Sequence, residues 1–526
     1  MLNNLSKTIL ERQDIESIKP DFEKVKILNR SAAEKIQAII FDSEKNTFHI
    51  LTTNNFPDHL QKLIKNLEEK GAKTKIFYTD FDSFNQIALD WYNQIEKQEE
   101  KKAEEKATNQ NAEGNNAEQL IQQFFNEREK KDDGDFILEI IRLAFQAWSS
   151  DLHFQSEEKG IFMKMRKDGI LKTVLEFSHE EFPKYLQKIK FISGVRMNID
   201  YLPQDGRFDF MVNINGIQKK IDVRVNTMPG LRSESIVMRF LDSTNSIHSF
   251  TEIGFGGENL KSIQENLVKN TGMILVTGPT GAWKTTTIYS MIDTLNNGRK
   301  KIITLEDPIE YEVPWLQQSQ INYKKGYDYE QWLKAVLRHD PEVILVWEIR
   351  TLETADIAIN AALTGHLVFS TLHTNSAIET VSRLLNMWVQ TYMLAPAINL
   401  IVGQRLVRKL CHCAIKRESN FAESEEIKKV LEKIHDIKPT KIIEFDGQIY
   451  HPVGCPDCNG EGYKGRIAIV ETLEITEDIK QTIVESWKII DIFAKARENW
   501  FLTLKEEGFI KMIDWQTTLE ELRRVI

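Results

Sequence analysis

The fold is decided by the stretch MILVTGPTGAWKTTT, residues 273–287. Its first five residues predict a buried strand, GPTGAW predicts a loop, and KTTTIYSMIDTL, from Lys284 onward, predicts a helix. This order is typical of a phosphate-binding loop, in which backbone N–H groups at a helix N-terminus hold phosphate oxygens. The lysine of such a loop reaches the β- and γ-phosphates of a nucleotide, and the next hydroxyl binds Mg²⁺. The sequence therefore predicts these roles for Lys284 and Thr285.

The residues predicted to surround the phosphates are consecutive: Gly278, Pro279, Thr280, Gly281, Ala282, Trp283, Lys284, Thr285 and Thr286. One of them departs from the pattern of Gly, four residues, Gly, Lys, and Ser or Thr, because Trp283 stands where the second glycine belongs. Glycine is used there so that the backbone can curl against the phosphates with no side chain in the way. We expect an indole to fill the phosphate site. Either the protein does not bind nucleotide normally, or the cell places another residue at this position.

The composition is that of a large globular protein. A length of 526 residues predicts roughly three to four domains. The net charge of −10 gives no support for a general nucleic-acid-binding surface. No apolar run reaches the roughly 18 residues of a membrane span, and the N-terminus lacks the apolar core of a signal peptide. We therefore expect a cytoplasmic protein that binds no nucleic acid directly and touches membranes only through partners.

The chain divides into four predicted segments. Residues 1–94 hold two strand signals, at 36–42 and 74–80, and predict a small α/β domain. Residues 95–119 are rich in Lys, Glu, Asn and Gln, which predicts a flexible linker or a frayed helix that leaves the first domain free to move. Residues 120–245 begin with a helical stretch and continue with alternating, half-buried strands. Residues 246–526 alternate strands with helices.

This alternation predicts a parallel sheet covered on both faces. The strands in KKIITLED, PEVILVWE and HLVFSTLHT are followed or closed by acidic or polar residues, namely Glu306 with Asp307, Glu348, and His373. In open α/β sheets the ligand lies at the carboxyl ends of the strands, so these side chains should converge on the nucleotide.

The four cysteines lie in two close pairs, which in a reducing compartment favours a metal site over disulfides. Cys455 and Cys458 have the two-residue spacing that lets both thiolates reach one Zn²⁺, and Cys411 with Cys413 would complete four sulfur ligands. Four thiols without metal are the alternative.

Four motifs in order make the chain, from about residue 140 to 526, resemble the type II secretion and type IV pilus-assembly ATPases. They are GPTGAWKTTT, TLEDPIEY, LRHDPEVILVWEIRTLETADIAINAALTGHLVFSTLHTN and GCPDCNGEGYKGRIAIVE. The N-terminal 94 residues resemble that family only weakly. The resemblance implies a hexameric cytoplasmic motor that uses ATP and magnesium. Its C-terminal domain, with a cysteine hairpin at about 405–465 and C-terminal helices, would be RecA-like and preceded by a PAS-like α+β domain.

The resemblance also implies roles for single residues. Glu306 would activate the attacking water. Glu348 ends the strand in PEVILVWE, which corresponds to the family's Walker B motif, and would bind the water molecules around Mg²⁺. His373 would sense the γ-phosphate, whereas His366 of the same histidine box is equally open to being a satisfied strand residue. The arginines that the preceding domain would supply to the nucleotide are Arg207, Arg224 and Arg239, and Arg166 also lies among the strands of that segment. Such an arrangement would tie hydrolysis to domain closure.

The chain departs from the family at the first cysteine pair. The family spacing is two residues, but LCHC leaves only His412 between Cys411 and Cys413. This shortening changes the geometry with which Cys411 and Cys413 would bind zinc. His412 could replace one of these two thiolates as a ligand.

Tryptophan shows a second departure, because eight of the ten tryptophans stand where such ATPases commonly carry glycine. They are Trp148, Trp283, Trp315, Trp332, Trp347, Trp388, Trp500 and Trp515. Decay of a useless ATPase would damage catalytic residues too, and with many residue types. Some bacteria read the codon UGA as glycine, so a translation table that assigns UGA to tryptophan would produce this pattern.

The leading hypothesis is an ATP-hydrolysing homohexameric motor for assembling a type IV pilus or a type II secretion pseudopilus, with an inner-membrane platform protein as its partner. A pilus-retraction ATPase is the alternative among enzymes, although that family lacks the cysteine hairpin. A catalytically inactive ring subunit is preferred if Trp283 and Trp347 are genuine.

Overall fold

The computed structural model describes residues 8–9, 20–25, 37–44, 47–53, 72–81, 120–126 and 133–526, together with isolated residues before position 92. Within the last range it leaves out 215–216, 242–247, 297, 311, 314, 323–324, 337, 439–442 and 487. The chain forms two compact units, residues 1–110 and 111–526. The predicted linker at 95–119 lies outside the described residues.

The first unit contains a four-stranded sheet. Its described elements are β1 (Thr8–Ile9), α1 (Phe22–Val25), β2 (Ala38–Glu44), β3 (Thr47–Thr53) and β4 (Lys73–Thr79). The strand order is β1-β4-β3-β2, with β2 antiparallel to β3 and the other pairs parallel. Successive side chains point to opposite faces, so Ile39 and Leu51 enter one core while Ile40 and Ile50 enter another. Both predicted strands are present.

The second unit begins with helical residues 120–126, followed by an antiparallel sheet and two further helices. The elements are α2 (Asp133–Gln146), β5 (Asp151–Ser156), β6 (Ile161–Lys167), β7 (Ile170–Phe177), α3 (Phe182–Ile192), β8 (Gln204–Ile214), β9 (Ile217–Met228) and β10 (Ser235–Leu241). The strand order is β7-β6-β5-β10-β9-β8. Phe136 of α2, Phe154 of β5, Phe177 of β7 and Tyr185 of α3 are fully buried in one shared core. This core ties both helices to the sheet.

The rest of the chain contains a seven-stranded sheet. Its elements up to residue 410 are α4 (Phe250–Ile253), α5 (Gly257–Leu267), β11 (Gly272–Thr277), α6 (Lys284–Leu295), β12 (Ile302–Glu306), β13 (Gln317–Gln320), α7 (Tyr329–Val336), β14 (Val343–Glu348), α8 (Leu352–Leu363), β15 (Leu367–Leu372), α9 (Ala377–Asn386), α10 (Thr391–Ala397) and β16 (Ile398–Leu410). The remaining ones are β17 (Ile415–Glu418), α11 (Phe421–Ile437), β18 (Gln448–His451), β19 (Tyr463–Glu474), α12 (Glu477–Glu485), α13 (Ile489–Glu498), α14 (Leu504–Ile513) and α15 (Leu519–Val525).

The predicted parallel sheet, covered on both faces, is confirmed. Its order is β13-β12-β14-β15-β11-β16-β19, and all neighbours are parallel except β16 and β19. In β11, Met273 and Leu275 enter a core with α8, while Ile274 and Val276 enter a second core with α6. Burial on both faces explains why these strands read as continuous apolar runs rather than alternating ones.

Four helices end at a tryptophan with left-handed backbone angles. The residues are Trp148 after α2, Trp388 after α9, Trp500 after α13 and Trp515 after α14, with φ of 63°, 71°, 63° and 67°. After α9, for example, the Trp388 N–H donates to the Leu385 carbonyl (2.9 Å) and the Val389 N–H to the Leu384 carbonyl (3.3 Å). This pair of bonds is the Schellman ending, whose left-handed residue is usually glycine because a Cβ disfavours that conformation.

The other four tryptophans at suspected glycine positions fall into two groups according to their backbone angles. Trp283 also has a left-handed φ, of 60°. Trp332 lies inside α7 and is only 1% exposed, and Trp347 lies inside β14. Neither these two nor Trp315 has a positive φ. The backbone therefore favours glycine at five of the eight positions and is neutral at three.

Replacing Trp388 with glycine should stabilise the protein. The side chain is 80% exposed, so little packing is lost, and removal of the Cβ relieves a left-handed residue by about 1 kcal/mol. We expect the midpoint of chemical denaturation to rise for Trp388→Gly. Trp388→Ala is the matched control, because it removes the indole and keeps the Cβ, and equal midpoints for the two variants would contradict the argument.

Candidate nucleotide site and metal centre

The loop between β11 and α6 has the backbone of a phosphate-binding loop. Three of its residues have positive φ: Gly278 (152°), Gly281 (79°) and Trp283 (60°). Trp283 is the N-cap of α6 and makes no side-chain capping bond. Left-handed residues turn successive N–H groups toward one concave side, which suits an anion. The loop therefore fits phosphate, with the wrong residue type at its last left-handed position.

Gln404 of β16 fixes this loop, and the sequence did not identify it. The side chain is fully buried, its amide donates to the Ala282 carbonyl, and its carbonyl accepts the Thr287 hydroxyl (2.9 Å). A Cβ at Gly278 would lie 2.3 Å from the Gln404 backbone oxygen, so only glycine permits this approach. The available signal was an uncharged polar residue directly after the apolar run LIVG in the stretch LIVGQRL.

The indole of Trp283 lies against His248 and Arg466. Its ring stacks on the His248 ring at 6.3 Å between centroids, and the Arg466 guanidinium lies 5.1 Å from its centroid. The sequence argument rested on the volume of the indole in the phosphate site. The structure adds a separate argument from the backbone, because the left-handed φ at this N-cap is the conformation that glycine adopts most easily.

Lys284 is held at the loop by the loop's own carbonyls. Its ammonium donates to the carbonyls of Gly278 (2.9 Å) and Pro279 (3.3 Å) and lies 3.4 Å from His373 Nε2. Burial lowers the pKa of Lys284 to about 8, against the opposing effect of Glu348. Thr285 and Thr286 follow in the first turn of α6 and are half-buried.

Glu348 and His373 meet beside Lys284, as expected for residues at the carboxyl ends of neighbouring strands. His373 Nε2 lies 3.2 Å from Glu348 Oε1, and Arg350 donates to Glu348 Oε2 (2.7 Å). Burial and the nearby Lys284 ammonium lower the pKa of His373, which favours the neutral imidazole, while Glu348 acts in the opposite direction. Arg350, which the sequence reading left out, thus completes a chain of polar contacts that starts at the phosphate loop.

Glu306 occupies a different environment from the one expected of a water-activating group. Its carboxylate is fully buried and accepts hydrogen bonds from Tyr289 (2.7 Å), Thr304 (2.7 Å) and Gln318 (3.0 Å). Both oxygens are therefore occupied by protein donors. Four residues further on, Glu310 is half-buried and pairs with Arg224 at 3.1 Å.

The predicted arginines form one row across the antiparallel sheet. Arg224 of β9 is the direct cross-strand partner of Arg207 on β8 and of Arg239 on β10. The row continues through Asp151 of β5 to Arg166 of β6. Direct partners project from the same face, so these charges share one surface.

Acidic partners balance the row. Asp222 hydrogen-bonds Arg207, and Asp151 pairs with Arg239 (2.8 Å) and Arg166 (3.6 Å). Of the three predicted arginines, Arg224 contacts the domain that carries the phosphate loop, through Glu310 and the Ile309 carbonyl (3.1 Å).

His366 is not brought to the phosphate loop. It immediately precedes β15, and Leu367 is paired with Gly272 at the amino end of β11, whereas the loop follows the carboxyl end. A six-residue strand is roughly 20 Å long, and His366 Nδ1 lies 2.9 Å from the Ala361 carbonyl. Within one chain, His366 therefore lies just outside the strand, half-buried and hydrogen-bonded to α8.

The four cysteines come together in spite of the shortened spacing. The Sγ distances are 3.7 Å for Cys411–Cys455, Cys413–Cys458 and Cys455–Cys458, and all four sulfurs lie within 4.8 Å of one another. A tetrahedron with Zn–S bonds of about 2.3 Å has an edge of about 3.8 Å. The set therefore fits zinc. His412 lies beside this set, with its Nδ1 3.6 Å from Cys411 Sγ and its Nε2 3.4 Å from Asp457. With Cys455 and Asp457 it forms a second group that could hold a metal.

Comparison with known proteins agrees with these features. The family model described as type II/IV secretion system protein matches residues 129–524. The chain belongs to this family. It is 41% identical over 392 residues to the type IV pilus assembly ATPase PilB of Pseudomonas aeruginosa, covering 74% of this chain and 67% of PilB. It is 36% identical over 401 residues to the type II secretion system protein E of Aeromonas hydrophila, covering 75% and 77%.

Solved structures give the same fold. The ATPase DotB of Legionella pneumophila is 20% identical, with a TM-score of 0.53 over 74% of this chain and 94% of DotB. In the described part of this type II/IV secretion system protein, no helix is both long and apolar enough to cross a membrane. The family assignment covers the second unit only, because the match begins at residue 129.

The purified protein should contain one zinc ion per chain. With four sulfur ligands the site has no open position, so the metal should stabilise residues 405–465 rather than take part in chemistry. Metal analysis should give one equivalent for the parent and for His412→Ala, and much less for Cys413→Ser. A zinc-free chain, or loss of zinc from the His412 variant alone, would contradict the four-cysteine assignment.

Proposed function

We propose that this chain is an ATP-hydrolysing motor that powers assembly of a type IV pilus or a type II secretion pseudopilus. It would work as a homohexamer on the cytoplasmic face of the inner membrane, bound to a platform protein. Along the chain, a PAS-like domain would precede the RecA-like domain. The observation that carries the proposal is the meeting of Lys284, His373 and Glu348 at the mouth of the phosphate loop. The identities to PilB and to secretion protein E support the class of machine.

Each residue would change partners when ATP binds with magnesium. Lys284 would exchange the Gly278 and Pro279 carbonyls for phosphate oxygens, which bind a cation more strongly. Thr285 would hold the metal through its hydroxyl, and Glu348 would orient water on it. Magnesium itself would neutralise charge on the phosphates. His373, between Lys284 and Glu348, is placed to detect whether a γ-phosphate is present.

Two carboxylates of the stretch TLEDPIEY, Glu306 and Glu310, compete for activation of water. The sequence favours Glu306, but both of its oxygens are taken up by buried donors. Glu310 is half-buried, and its contact is an arginine that phosphate would attract away. We therefore favour Glu310 as the activator and Glu306 as the residue that holds β12 against α6.

The arginine row gives the motor its link to movement. When Arg224 moves from Glu310 to a phosphate, it adds positive charge to the transferring group and frees the carboxylate for water. Arg207 and Arg239, its direct neighbours, would join only after giving up Asp222 and Asp151. Closure of the two domains, or of two subunits, would thus be required for turnover.

The function is tested first by the residue at position 283. Peptide mass spectrometry of protein from the source organism should find glycine at 148, 283, 388, 500 and 515. The chain made with glycine at the eight suspected positions should then release phosphate from ATP in a Mg²⁺-dependent way, and its Lys284→Ala variant should not. Native tryptophan at 283, or no turnover by the glycine form, would favour an inactive ring subunit.

Amide substitutions separate the two carboxylates. Glu310→Gln in the glycine form should retain nucleotide binding and lower kcat on the order of a hundredfold or more, as for loss of a general base. Glu306→Gln places an amide donor among three hydrogen-bond donors, so its main effect should be a loss of stability of about 1–3 kcal/mol. The converse result, with normal stability and no hydrolysis for Glu306→Gln, would restore Glu306 as the activator.

A further inference from the structure

Glu471 of β19 is a buried carboxylate whose hydrogen bonds, in the described part of the chain, come from backbone N–H groups. Only 1% of the residue is exposed. Its two oxygens accept backbone N–H groups, from Ala377 (2.5 Å) and from Leu504 (2.8 Å). These are the first residues of α9 and α14, so one carboxylate caps two helices. Both helix dipoles favour a negative charge there.

The neighbouring strand is shaped to admit this side chain. Gly403 of β16 is the cross-strand partner of Glu471. A Cβ at Gly403 would lie 2.7 Å from Glu471 Oε1 and 3.1 Å from the Ala377 nitrogen. The absence of a side chain at 403 therefore allows the carboxylate to reach α9.

The start of α9 is connected to the nucleotide site by the sensor segment, residues 373–376. Thr374 Oγ1 lies 2.6 Å from Oγ1 of Thr277, the last residue of β11, and the Thr374 N–H donates to the same oxygen (3.0 Å). His373, immediately before, contacts Lys284 and Glu348. A displacement of Ala377 would thus be passed to His373 over four residues of hydrogen-bonded chain.

We propose that Glu471 is a positioning residue for ATP hydrolysis, which holds the sensor segment in register with the phosphate loop and couples it to α14. This inference rests on the proposed function. Because each oxygen accepts one N–H, protonation would remove the negative charge from these acceptors and weaken the hold on the two helices. The ionised form is therefore the one that joins them.

Burial supports a change of state near neutral pH. Desolvation raises the pKa of Glu471 to about 7, although the two N–H groups oppose the shift. The charged groups acting on it are Glu379 of α9 and Arg405 of β16, and Lys505 of α14 lines the same cavity. Arg405 donates to the Val525 carbonyl (2.7 Å) and to Asn375 (3.1 Å), so it is engaged elsewhere in the same network.

The sign of the stability effect follows from that shift. The folded-state pKa lies above the unfolded value, so the contribution of Glu471 to stability is fully present below about pH 4.5 and declines as the pH rises toward about 7. Activity should change in the opposite direction, because the ionised carboxylate holds both helices. If Glu471 were merely structural, activity would follow stability as the pH changes. If it positions the sensor segment, activity should rise with pH while stability falls.

The test compares Glu471→Gln with Glu477→Gln in the full-length glycine form. Glu477 lies on α12 with its side chain 87% exposed, so its variant should behave like the parent. For Glu471→Gln we expect kcat to fall ten- to a hundredfold, on the order expected for a misplaced catalytic group, while affinity for a non-hydrolysable ATP analogue changes less than about twofold. Gly403→Ala, which pushes against the carboxylate, should give the same split.

The pH profile completes the test. Parent kcat should rise through a midpoint near pH 7, and Glu471→Gln should lack this step. If Glu471→Gln does not fold, the pH profile of the parent and the kcat of Gly403→Ala still test the proposal. An unchanged kcat in Glu471→Gln, or a parent profile without that step, would overturn the proposal. A parent without turnover would instead defeat the proposed function.

Discussion

The nucleotide site depends on the left-handed turn of the backbone at position 283. This residue ends the loop and caps α6, so its φ sets the direction in which the first N–H groups of the helix point. Gln404 then fixes the preceding carbonyl, and Gly278 permits the close approach of β16. Lys284 and the first two threonines of α6 are placed by this turn. A residue with a Cβ raises the energy of the turn by roughly 1–2 kcal/mol. Since the turn positions Lys284 and the threonines, this energy destabilises the arrangement of the whole site.

The local features of the fold and site could be predicted from the sequence. Strand–loop–helix order around Lys284 specifies a phosphate loop, because each of its parts is encoded within fifteen neighbouring residues. Continuous apolar strands ending in Glu348 and His373 indicated a parallel sheet with those side chains at one edge, where the structure places them. The two cysteine pairs also indicated one cluster, although the LCHC spacing left its geometry open.

Features that depend on register or on distant strands could not be predicted. Arg207, Arg224 and Arg239 are 17 and 15 residues apart along the chain, and only the pairing of β8, β9 and β10 shows that they form one row. Glu306 reads as an accessible strand-end acid, yet Tyr289 and Gln318 come from other elements to bury it. His366 belongs to a motif with His373, but a six-residue strand separates the two ends of the sheet. Sequence spacing carries no information about such contacts.

The Schellman ending at Trp148 has a consequence for anyone who expresses the gene. If this position is a reassigned UGA codon, as the four matching helix ends suggest, a host with the standard code stops there. The product would then end at Ala147, one residue past α2, with Phe136, Ile140 and Ile141 exposed because their partner strands are missing. An insoluble fragment of about a quarter of the chain would be the result, and it would reflect the host's genetic code rather than any instability of the protein.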